Sequence, residues 1–192
     1  NKSILFSTLL VGMLFAFSSP GFALAQSGAE VVSNFEATYT LHPDSTFTAT
    51  ERITYDFKEG QKHGIYRYLP VSYPTDLGKV SIEVSNFSVV DDAGNPYVFT
   101  VTTSNGVVTL KIGDPNVLIT GKKTYVLSYD VAWGMGYFTD YDELYWNVTG
   151  SGWNVPIEKA SAKFVLPKPV LAKDMRAACY QGLFGSTARC AS

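Results

Sequence analysis

Glu51 stands alone as a polar residue in an alternating row that otherwise reads Phe47, Ala49, Ile53, Tyr55 and Phe57. Residues two apart in a strand share a face, so this row predicts an inward-facing strand surface with one carboxylate in it. Such a group is costly unless it is paired and hydrogen-bonded. Arg67 is the partner of choice, because its planar fork can serve both carboxylate oxygens and holds its charge at any physiological pH. The expectation is a structural ion pair, Glu51 with Arg67, tying a loop over 63–70 to the second strand. The alternative is a Glu51 at the rim of the fold, reaching water.

The remaining candidates for chemistry are weaker. His63 and His42 are the whole histidine set, and a catalytic histidine needs a nucleophile and an orienting acid within reach. No Gly-x-Ser-x-Gly elbow occurs in the chain. Asp140, Asp142 and Glu143 form a small acidic cluster that could contribute to a calcium site, but the spacing does not supply the ligand set of an EF-hand loop. The same carboxylates could serve as a glycosidase acid/base pair; a solvated acidic loop is the simpler reading. Trp133, Trp146 and Trp153, with twelve tyrosines, could form an aromatic platform for sugars, although aromatics in a β fold more often fill its core. Asn86-Phe87-Ser88 and Asn147-Val148-Thr149 match the glycosylation sequon, which matters only in a eukaryotic secretory pathway. No catalytic set, cofactor motif or committed metal site emerges.

The elements that must position these residues are strands. Val31 onward shows period-two alternation broken by Gly, Pro, Asn and Asp turns. Expected strands cover 35–41, 46–57, 80–90 with a bulge near Ser85-Asn86, 97–103, 107–112, 123–132, 143–148 and 159–166. Asn105-Gly106 is the strongest hairpin signal, since both residues accept positive φ. Spacing of this kind predicts an all-β, antiparallel two-sheet sandwich, immunoglobulin-like in architecture, with a barrel as runner-up. The expected organisation is one sandwich domain over 26–166 and a C-terminal neck over 167–192.

Residues 1–25 read as a targeting signal. Lys2 precedes an apolar run from Ile4 to Phe17, and Ala23-Leu24-Ala25 supplies a signal-peptidase site. The run falls short of the ~20 residues of a spanning helix. Asn1 is not a start methionine and Ser192 ends the chain without a tail, so the chain is expected to be part of a longer protein. A formal net charge of −2 without any Lys/Arg cluster argues against nucleic acid as partner. Cys179 and Cys190 complete the cysteine set. In an exported chain they are expected to bridge each other, worth roughly 3 kcal/mol in the chain-entropy model; a partner in a segment beyond Ser192 is the alternative.

Several motifs in fixed order carry a resemblance. They are Thr50-Glu51-Arg52-Ile53-Thr54-Tyr55-Asp56-Phe57, His63-Gly64-Ile65-Tyr66-Arg67, Tyr145-Trp146-Asn147-Val148-Thr149-Gly150 with Trp153 and Pro156-Ile157, and Cys179-Tyr180-Gln181-Gly182 with Gly185-Ser186. Over about Phe35 to Cys190 the chain resembles the bacterial membrane proteins grouped as domain of unknown function 2207. The resemblance implies an exported β-rich region followed by transmembrane helices, here beyond residue 192, and it lends no catalytic residues. The functional expectation is therefore a non-catalytic, extracytoplasmic interaction or structural domain of a membrane-anchored cell-envelope protein. Glycan binding through exposed Trp146 or Trp153, and a hydrolase built on the acidic cluster, are the alternatives.

Overall fold

The computed structural model describes residues 28–75, 78–182 and 185–190; the signal expected over 1–25 lies outside them. Five strands form the main sheet: β1 (Val31–Leu41), β2 (Phe47–Asp56), β6 (Glu83–Val90), β9 (Lys122–Ala132) and β12 (Ala160–Val165), in the order β12-β1-β2-β9-β6. A three-stranded sheet, β3 (Ile65–Pro70), β8 (Val107–Ile112) and β7 (Phe99–Ser104), has β8 at its centre. Three two-stranded pairs decorate these layers: β4 (Ser72–Thr75) with β5 (Gly78–Ser81), β10 (Met135–Tyr137) with β11 (Asp142–Leu144), and β13 (Tyr180–Gln181) with β14 (Ala188–Arg189). Pairing is antiparallel except between β1 and β12, which run parallel with Phe35 opposite Ala160. The architecture is the all-β, two-sheet arrangement that the alternation predicts.

Local chemistry explains the turns. At the β1–β2 hairpin, Asp44 Oδ1 accepts from the Thr46 amide at 3.1 Å and its hydroxyl at 2.7 Å, an Asx turn that lets Ser45 adopt φ +70°. Asn105 and Gly106 have φ +51° and +74°, the two positive values a two-residue hairpin needs. The bulge near Ser85-Asn86 is present: the β6–β9 register shifts between Ser85 and Ser88, and Asn86 sits at φ +55°. Its amide donates to Asp130 Oδ2 at 2.9 Å, while Thr48 donates to Asp130 Oδ1 at 2.7 Å. One aspartate thus ties β2, β9 and the bulged β6 together.

The core lies between the two sheets. Phe35, Ala37 and Tyr39 of β1, the Phe47–Tyr55 row of β2, and Tyr125, Leu127, Tyr129 and Val131 of β9 face Ile65 and Leu69 of β3 and Val108, Leu110 and Ile112 of β8. Two expected elements differ. Residues 65–70 form strand β3 rather than a loop, and the strand expected over 143–148 stops at Leu144. The first difference arises because the Ile65, Arg67, Leu69 row carries an arginine where an apolar residue would announce the inward face. The second arises because Val148 and Thr149 turn their carbonyls to a side chain instead of a neighbouring strand.

Beyond Leu166 the chain lies on the outside. Residues 167–182 are exposed throughout, and Cys179 and Cys190 form a disulfide with Cα atoms 5.4 Å apart across the β13–β14 hairpin. Since that hairpin contributes no residue to the buried core, a Cys179→Ser/Cys190→Ser variant is expected to melt with the parent's midpoint while the hairpin itself becomes protease-sensitive. A large drop in the main transition would show that the hairpin supports the sandwich. A second expectation concerns acid. Hydrogen bonds from Asn86 and Thr48 hold the Asp130 carboxyl below the usual aspartate range, and Lys58 does the same for Asp56. A depressed native value stabilises the fold above the unfolded aspartate pKa, and this stability disappears as pH falls through the native value. Stability should therefore decline below the ordinary aspartate range, with a flatter acid limb in Asp130→Asn, measured by urea unfolding at several pH values.

Candidate functional site

Glu51 and Arg67 meet at the centre of the core. β2 aims Glu51 inward from the main sheet and β3 aims Arg67 inward from the facing sheet; their exposures are 0 % and 2 %. Arg67 Nε donates to Glu51 Oε2 and Nη2 to Oε1, each at 2.7 Å, the bidentate fork geometry. Tyr129 of β9 donates its hydroxyl to Glu51 Oε1 at 2.6 Å. The remaining guanidinium hydrogens reach carbonyls: Nη1 donates to Tyr68 at 3.0 Å and Thr149 at 3.1 Å, and Nη2 to Val148 at 3.1 Å. All five donors of the arginine are used. Its carbon centre also lies 5.5 Å from the centroid of the Phe35 ring, in cation–π range.

The electrostatics follow from burial. Desolvation alone would push the Arg67 guanidinium down, but the Glu51 charge and hydrogen bonds outweigh it and leave the group above its ordinary value. Burial, reinforced by the Glu51 charge, raises the Tyr129 phenol well above its usual range, so it stays a neutral donor. This is a closed ionic cluster without an open ligand position, suited to holding two sheets in register.

The segment 145–153 is shaped around that arginine. Asn147 Oδ1 accepts from the Gly150 amide at 3.0 Å and its Nδ2 donates to Ser151 Oγ at 3.2 Å, bending the loop so that the Val148 and Thr149 carbonyls face inward. Gly150 has φ +74°, and a Cβ there would collide with Arg67 Nη1. Trp153 donates its indole N–H to Thr149 O at 2.8 Å and packs edge-on against Phe35. Trp146 packs edge-on against Phe47 at 5.0 Å and Tyr39 at 6.0 Å. The segments 63–70 and 145–153 are thus the two halves of one cradle, a relation that spacing alone could not reveal.

The other candidates fall elsewhere. His63 is exposed, with Nδ1 3.0 Å from the Val117 carbonyl; beside it, Gly64 passes too close to the Ile112 carbonyl for a Cβ. Tyr66 is exposed and stacks on Tyr68 at 6.1 Å. Asp140, Asp142 and Glu143 are exposed at the β10–β11 hairpin, and among the described residues no group of three or more His, Cys, Asp or Glu is placed to hold a metal. Trp146 and Trp153 are half-buried against the core, whereas Trp133 and Tyr145 are 74 % and 81 % exposed. Sequence reasoning singled out the wrong tryptophans as the exposed pair; the Trp-Gly step at the end of β9 was the available signal.

Residues 31–190 match the family described as "Predicted membrane protein (DUF2207) N-terminal domain". The chain belongs to this family. The DUF2207 description, a predicted membrane protein, supports membrane association for the proteins that carry this domain. No helix among the described residues is long and apolar enough to cross a membrane. No curated protein matches this DUF2207 domain. Among solved structures, native leukotriene A4 hydrolase from Saccharomyces cerevisiae is similar at 14 % identity and a TM-score of 0.36, over 53 % of this chain and 15 % of that one. The yeast enzyme in complex with bestatin is similar at 13 % and 0.34, over 53 % and 14 %. Likeness at that level carries no functional argument.

Removing one partner of the buried pair leaves an uncompensated charge, which costs about 3–5 kcal/mol. Arg67→Met and Glu51→Leu should each lose roughly that much in urea unfolding, and the double variant should lose less than the two singles combined. Additive losses would mean that the two groups act independently.

Proposed function

We propose that the chain is the extracytoplasmic, non-catalytic interaction or structural domain of a membrane-anchored protein of the cell envelope. The observation that carries this reading is the division of labour among its polar and aromatic groups. The strongest ionic cluster is sealed in the core with every arginine donor occupied, which fits it for holding shape. Five of the exposed aromatic side chains, Trp133, Tyr137, Phe138, Tyr141 and Tyr145, instead stand in solvent at the corner and hairpin between residues 133 and 145. Exposed apolar surface of this kind marks a place of contact. Membership of a membrane-protein family and the export signal read from residues 1–25 support an outward orientation.

Location and catalysis are testable separately. Alkaline phosphatase fused after Ser192 should be active in a bacterial host, because that enzyme matures only outside the cytoplasm; an inactive but intact fusion would overturn the orientation. The purified chain should leave a panel of ester, peptide and glycoside substrates unconverted. Turnover abolished by Asp140→Asn or Asp142→Asn would replace the interaction reading with a hydrolase.

A further inference from the structure

The corner after β9 places a bulky residue in a backbone conformation that the fold does not reward. Trp133 has φ +64°, the left-handed region in which a large aromatic is an outlier, and its indole faces solvent. The next residue explains the corner without explaining the tryptophan. A Cβ on Gly134 would lie 2.8 Å from Phe47 Cε1, so the chain is pressed onto the core at 134. A glycine or asparagine at 133 would satisfy the same backbone with less strain. Strain kept at an exposed position is the pattern of a functional site.

Trp133 lines a cleft with Tyr145, Trp146 and Tyr73, together with Ile82 and Met135. The cleft lies between the β4–β5 and β10–β11 hairpins, and Trp146 anchors it to Phe47 and Tyr39 of the core. No side chain in its lining carries a charge at neutral pH. A charged ligand would surrender hydration there without gaining a counter-charge. The neighbouring Asp140, Asp142 and Glu143 disfavour an anionic lipid surface. The lining offers aromatic faces and phenol hydroxyls: Tyr73 spends its proton on the Pro70 carbonyl at 2.7 Å, leaving its oxygen free to accept. A ligand that fits has apolar C–H faces rimmed by uncharged hydroxyls.

We propose that this cleft binds a neutral saccharide, with a sugar ring stacked against Trp133 and Tyr145. The inference names the ligand class of the interaction domain and rests on that reading. Trp133 is a binding residue, and its left-handed backbone is the device that presents the indole face.

The test is titration of the chain with neutral oligomers of glucose, galactose, mannose and N-acetylglucosamine, followed by tryptophan emission and calorimetry. At least one oligomer should bind saturably and shift the emission. Trp133→Gly should weaken that binding by about tenfold or more while melting at the parent's temperature or above it, because the strain is relieved. Tyr145→Ala should weaken it similarly with an unchanged melt. Failure of every oligomer to bind, binding unchanged in both variants, or binding only to phosphatidylglycerol-containing vesicles would each overturn the proposal. The phosphatase-fusion result would stand in any of these cases, since it reads location and not ligand.

Discussion

The Glu51–Arg67 pair places two opposite charges between two sheets, and the rest of the structure is arranged so that this can be tolerated. Taking either ion out of water is expensive, and mutual attraction offsets that cost only when the geometry is good and the remaining hydrogen-bonding positions are filled. Here β2, β3, β9 and the 145–153 loop each supply a group: the carboxylate, the guanidinium, the Tyr129 hydroxyl and the Val148 and Thr149 carbonyls. An apolar core could slide or repack with small penalties, but a fork with five fixed donors accepts one arrangement. The cluster therefore acts chiefly on specificity: it fixes which residue of β3 lies over which residue of β2, and where the loop must close.

That constraint reaches the aromatic cleft. The loop that cradles the arginine begins at Tyr145 and Trp146, so the position of Trp146 against Phe47 and Tyr39 is set from one side by the core and from the other by the carbonyls given to Arg67. The cleft is thus supported by regular strands and a pinned loop, the kind of backing that keeps a binding surface preorganised.

Much of this was legible in the sequence where physics acts locally. The Phe47–Phe57 alternation gave the inward face of β2 and marked Glu51 as anomalous; Asn105-Gly106 gave a hairpin; Ser85-Asn86 gave a bulge. The illegible parts depend on distant partners. β3 hid behind Arg67, whose charge breaks the apolar row, and 143–148 looked like one strand because apolar content says nothing about carbonyls diverted to a guanidinium. Trp133 was read as one tryptophan among three, since exposure depends on where Gly134 meets Phe47. The Glu51–Arg67 partnership was reachable from charge and hydropathy alone, while the carbonyl cradle required the fold.

The parallel pairing of β12 with β1 has a consequence for the order in which the molecule can be completed. A chain is made from its N-terminus, so β1 must wait, with one edge open, until residues 160–165 are available to lie beside it. The arginine waits as well, because its carbonyls at 148 and 149 arrive only shortly before. Contacts this distant in sequence slow folding. Until β12 arrives, the outer edge of β1 remains an unpaired strand edge, open to pairing with another chain.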